Sequence, residues 1–232
     1  MFAIELLLLL SLCLFPAIEL HSGGNTKRRI QEGKITKVRA YQETIVMLLL
    51  PTLLLVFLLI FGELRAFDLG LAVKNEISQT IAFLLLLVVL CYYATSFCLT
   101  FKNEQTKRRL REQLASLNWM LPTTSKEVNW FVFGVSLVAG VCEELLFRGY
   151  LIHTIDSHWG MAIAIILSSA LFGLCHVYQG WINVLRTGLV GLFLAIVYVW
   201  SGSLIVVIVL HIAQDAYVGA LHFVVSKTKQ PQ

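Results

Sequence analysis

The chain has 232 residues, 58% of them hydrophobic and 14% charged, with a net charge of +4 and a mean hydropathy of +0.79. Repeated runs of about 20 apolar residues exclude an ordinary soluble domain and imply an all-α, polytopic membrane helix bundle of about seven transmembrane helices. The small positive charge sits in short loops, so it reads as a topology signal and not as a nucleic-acid surface.

Seven candidate spans follow one another at roughly 2–20, 42–62, 79–101, 128–154, 160–179, 183–200 and 203–225. At 1.5 Å per residue each covers most or all of a hydrocarbon core of about 30 Å. The first span has no basic n-region, and Phe15-Pro16-Ala17 is a poor cleavage site, so it is expected to be retained. The loop after it carries Lys27, Arg28, Arg29, Lys34, Lys37 and Arg39. The loop between spans two and three, with Glu63, Arg65, Asp68, Lys74 and Glu76, has no basic excess. After span three come Lys102, Lys107, Arg108, Arg109, Arg111 and Lys126, and the tail adds Lys227 and Lys229. With seven spans all three basic segments fall on one side, which predicts an outside N-terminus and a cytoplasmic C-terminus. The stretch from Glu104 reads as a surface helix against lipid headgroups, and Leu121-Pro122-Thr-Thr as a turn. Thr124 or Ser125 is the expected N-cap of span four.

These features divide the chain into residues 1–127, N-terminal spans with basic loops; 128–225, a bundle carrying the chemistry; and 226–232, a short basic tail. The five cysteines, Cys13, Cys91, Cys98, Cys142 and Cys175, lie in apolar segments without CxxC spacing and read as small buried thiols.

The informative residues lie between Val128 and Val225, where six charges interrupt an almost wholly apolar stretch. Ionisable groups inside a membrane segment are costly and usually mark a site. Asp156 and Arg186 fall near helix ends; the other four, with two histidines, form three clusters. In the first, Glu144 and Arg148 are four apart and can pair on a helix, while Glu143 points about 100° away. Two adjacent carboxylates in a low dielectric do not both ionise cheaply. This suits a structural Glu144–Arg148 pair beside a proton-accepting Glu143; an ion network that only locks helices is the alternative. In the second, Ser169, Phe172, Gly173 and His176 share one helix face, where small residues permit close approach. In the third, His211 and Asp215 are i, i+4 neighbours, and a carboxylate-oriented imidazole is the expected arrangement. His222 shares that stripe near the helix end and suits an interfacial role. His21, His153 and His158 are loop or helix-end residues outside the site.

Together the clusters Glu143-Glu144-x-x-x-Arg148, Phe172-x-x-x-His176 and His211-x-x-x-Asp215 resemble the CPBP family of CAAX proteases and bacteriocin-processing, abortive-infection-like enzymes. The stretch Glu-Glu-Leu-Leu-Phe-Arg-Gly-Tyr, residues 143–150, is typical of its bacterial members. The resemblance covers roughly residues 128–222. It implies an intramembrane endopeptidase acting on a peptide or membrane-protein substrate, with a bacterial inner membrane as the expected location. It further implies that Glu143 and His176 activate water, that His211 and Asp215 serve the oxyanion, and that Glu144 and Arg148 support them. Relatives place Asn or Asp in the last motif, and an ionised Asp cannot donate a hydrogen bond, so Asp215 is assigned to orienting His211. A metal-free, glutamate-dependent mechanism is favoured over a divalent ion, zinc above all, held by Glu143, His176, His211 and Asp215. The competing classes are a non-catalytic scaffold or immunity regulator, which need not keep all motif residues, and a proton-coupled transporter, which favours inverted repeats or broken helices. One mismatch stands. If span five ends at Gln179, His176 lies about 5 Å from one membrane face and Glu143 about 22 Å from it.

Overall fold

A backbone inside hydrocarbon must satisfy its own N–H and C=O groups, and the apolar runs do so as helices. The computed structural model describes residues 2–62, 64–72 and 77–227. Glu63, Lys74, Glu76 and Lys229 lie outside the described residues. The helices are α1 (Phe2–Gln31), α2 (Lys37–Phe61), α3 (Ile77–Lys102), α4 (Glu104–Leu114), α5 (Ser125–Trp159), α6 (Met161–Leu174), α7 (Trp181–Ser201) and α8 (Leu204–Ser226). All except α4 and α6 are long and apolar enough to cross a membrane. Leucines such as Leu7, Leu53, Leu84 and Leu185 are exposed on the outside of the bundle, as a lipid-facing surface requires.

Three spans differ from the sequence expectation. Helix α1 continues to Gln31, so Lys27, Arg28 and Arg29 ride its C-terminal turns, where cations complement the helix dipole. Helix α5 has 35 residues, about 52 Å, and so overshoots a bilayer core. Helix α6 has only 14 residues, about 21 Å, and stops at Leu174. A 3₁₀ turn, Val177–Gln179, follows it, and Gly180 at φ +100 links the turn to α7 in a backbone conformation open mainly to glycine.

The basic segments gather at one end of the bundle. There Arg29 pairs with Glu43 at 3.2 Å. Lys37 donates to the carbonyls of Asn118 and Leu121, and Arg111 to that of Val225. Thr124 caps α5, with Glu127 completing a capping box. His222 is buried and bonds Pro122 O and Asn118 Oδ1, so it fastens the α4–α5 linker to α8. It is a buried, hydrogen-bonded residue of the bundle, where the sequence suggested an interfacial one.

Helices α5 and α8 meet at Gly140, where a Cβ would collide with the Ile212 side chain and come within 3.0 Å of its backbone nitrogen. That approach brings His211 to the glutamates. Gly140→Val is therefore expected to cost about 1–3 kcal/mol by overpacking. Thermal unfolding in detergent reads this directly, and an unchanged melting temperature would show that the two helices can separate freely.

Candidate active site

Glu143 and Glu144 stand where α5 passes from an α-helical stretch, Ser136–Glu143, into a π-helical one, Glu144–Leu151. Such widened turns recur at functional sites. The two carboxylates part company here. Glu144 is fully buried, and its Oε1 accepts from Arg148 Nη1 at 2.6 Å and from His211 Nδ1 at 2.7 Å. Arg148, equally buried, also donates Nη2 to Gly191 O at 3.0 Å and lies 4.3 Å over the Phe172 ring. Buried charges persist when paired and hydrogen-bonded, and this cluster pairs them, although Glu144 Oε2 and Arg148 Nε find no hydrogen-bond partner among the described residues.

Glu143 turns the other way, into a cavity of about 310 Å³ between α1, α2, α5 and the turn after α6. Its Oε2 is buried and makes no hydrogen bond among the described residues. His176 lines the same cavity. Its Nδ1 donates to Phe172 O at 2.8 Å, and because a carbonyl only accepts, the proton sits on Nδ1 and the Nε2 lone pair is free. The cavity is therefore lined by a carboxylate without a hydrogen bond among the described residues and by an imidazole whose Nε2 carries no proton, the two kinds of group needed to polarise a water.

The depth mismatch disappears because α5 runs on to Trp159. Counted from the hairpin at Gly160, Glu143 is 17 residues up α5 and His176 is 16 residues along the returning chain, about 25 Å and 24 Å on helical rise. The two are level. His176 itself lies beyond the helix, at φ −101, and not on the α6 face that carries Ser169 and Gly173. Gly173 instead packs against Gly188 and the Val184 carbonyl of α7, which closes the α6–α7 hairpin.

His211 differs from the expectation in its partner. Glu144, not Asp215, holds its Nδ1. Its Nε2 faces Glu143 Oε2 at 3.8 Å and Asp215 Oδ2 at 3.7 Å, both beyond hydrogen-bond distance. The reason is packing: Gly140 seats α8 so closely on α5 that Nδ1 reaches the buried carboxylate first, while Asp215, one turn on, keeps a side chain 34% exposed.

Among the described residues, no three His, Cys, Asp or Glu side chains converge to hold a metal ion. His211 Nδ1 and His176 Nδ1 both donate to protein acceptors, which leaves the two Nε2 atoms as the imidazole nitrogens open to a water or a ligand. Cys142 and Cys175 are buried, but Cys13, Cys91 and Cys98 are exposed on the outer surface, because lipid accepts a thiol there. All five are free. His21 and His158 are exposed and outside the site.

One residue escaped the sequence reading. Glu19, 6% exposed, lines the cavity with Glu143 and His176. A span ending at residue 20 puts it at the membrane edge; a helix running to Gln31 puts it inside. The available signal was an ionisable residue in an apolar helix.

Residues 125–217 match the profile of a family described as type II CAAX prenyl endopeptidase Rce1-like. The matched segment contains Glu143, Glu144, Arg148, His176, His211 and Asp215. No curated protein and no solved structure matches the chain.

Proposed function

We propose that this chain, which carries an Rce1-like type II CAAX prenyl endopeptidase domain, is an intramembrane endopeptidase in which Glu143 and His176 activate the attacking water. One observation carries the reading. Of two adjacent carboxylates, only Glu143 lines the cavity, and it does so together with His176, whose Nδ1 proton is held by Phe172 O.

A water between Glu143 and His176 Nε2 loses a proton to the carboxylate while its oxygen bonds to the scissile carbonyl carbon. The C=O electron pair moves onto oxygen. When the tetrahedral intermediate collapses, the C–N bond breaks and Glu143 returns the proton to the leaving amine. His211 Nε2 faces the same centre and, when it carries a proton, donates to the oxyanion, the point at which preorganised donors matter most. Glu144 and Arg148 fix His211, and Asp215 borders its outer edge. The cavity runs from this centre towards the basic end of the bundle, past Thr44 and Arg29, which gives water and a peptide a route from the side that the positive-inside rule assigns to the cytoplasm.

The substrate is a peptide or membrane protein. Comparative proteomics of membranes carrying wild-type protein or Glu143→Ala tests the reading: uncleaved precursors accumulate with the variant. Identical membrane proteomes would count against proteolysis. Purified enzyme is also expected to keep its activity after exhaustive chelation. Loss of activity that Zn²⁺ restores, with one zinc per chain absent from His176→Ala, would overturn the metal-free mechanism.

A further inference from the structure

The cavity carries more acid than hydrolysis requires. Its charged lining is Glu19, Glu43, Glu143 and Arg29, three carboxylates against one guanidinium. Arg29 is already paired with Glu43 near the mouth. Glu19 is the exception. It is 6% exposed, stands on α1, and forms no hydrogen bond or ion pair with a described residue. Its carboxylate opens to the cavity, so whatever fills the cavity is what satisfies it.

The packing holds Glu19 in place. Gly23, one turn further along α1, lies so close to Tyr178 that a Cβ would collide with its side chain. This seats α1 on the turn that follows His176, with Glu19 one turn deeper in the cavity. Cys175, His176 and Glu143 share the wall there. Among the described lining residues, an anionic occupant would meet two carboxylates that make no hydrogen bond, and Arg29 already paired with Glu43. A cationic one would complete Glu19 while leaving Glu143 for water.

We propose that Glu19 is a specificity-determining residue that seats a Lys or Arg side chain of the substrate beside the scissile bond. The proposal rests on the peptidase reading for its substrate class, but its charge preference is measurable without turnover.

The test uses full-length protein in detergent and a set of apolar, internally quenched peptides with one Lys scanned along the sequence. A matched set carries norleucine, a neutral analogue of similar length. Binding and cleavage are measured separately. Wild-type protein is expected to prefer Lys at one position by about 10-fold or more, the scale of a hydrogen bond to a charged group. Glu19→Gln should erase that ratio while the norleucine peptides stay within about 2-fold of wild type, and Glu19→Asp should retain part of it. Glu19→Gln removes an unpaired buried charge, so it should melt no lower than wild type. Should it nevertheless misfold, the wild-type ratio and Glu19→Asp still decide. Equal binding of Lys and norleucine peptides by wild type overturns the proposal. So does a preference that survives in Glu19→Gln, or a uniform loss for all peptides. A Lys preference in binding with no cleavage of any peptide supports the seat and counts against the peptidase reading alone.

Discussion

Glu143→Gln is expected to lower peptide cleavage by about 10²–10⁴-fold while the protein inserts and melts like wild type. Gln keeps the length and hydrogen-bonding capacity of the side chain but cannot take a proton from water. The structural cost is small, because Glu143 Oε2 has no hydrogen-bond partner to lose and no ion pair within 3.5 Å. Single-turnover cleavage of a quenched peptide, run beside a melting curve, separates the chemical effect from misfolding. A well-folded Gln variant with substantial turnover would remove Glu143 as the base and shift attention to Glu19, the other unpartnered carboxylate on that wall.

Much of this site was legible because membrane burial makes polar residues conspicuous. Glu144 and Arg148 are four apart in an apolar run, and the pair at 2.6 Å follows from helical spacing alone. The bundle was legible for the same reason, since apolar runs of span length have few other solutions in lipid. What the spacing did not reveal was tertiary. The i, i+4 rule made Asp215 the natural partner of His211, yet Glu144, 67 residues away in sequence, holds the imidazole. Only the helix contact at Gly140 decides between them. The short α6 was hidden because Cys175 to Gln179 contains no Gly or Pro to mark where the backbone leaves the helix. That difference puts His176 at the turn after α6, on the cavity wall that Glu143 also lines. Glu19 was missed because hydropathy ends the first span at the first polar cluster, whereas the helix runs another three turns.

Arg148→Ala should be the most destabilising single change at the site, by about 3–5 kcal/mol, the usual cost of removing one partner from a buried pair. It leaves Glu144 at zero exposure with only His211 beside it, frees the Gly191 carbonyl and takes the guanidinium off the Phe172 ring. Solvent cannot screen the abandoned carboxylate, so the loss should far exceed that from Glu143→Gln. Replacing both members, as in Glu144→Leu with Arg148→Met, removes the stranded charge and should recover much of the stability, as apolar substitutes for buried pairs often do. Activity should not return, because His211 Nδ1 loses its acceptor and the imidazole its fixed orientation. Unfolding in detergent and peptide cleavage, measured on the three proteins, check both halves. Equal melting temperatures for Arg148→Ala and Glu143→Gln would argue that the Glu144–Arg148 pair does not hold the bundle. Full activity in the double variant would argue that Glu144 does not position His211.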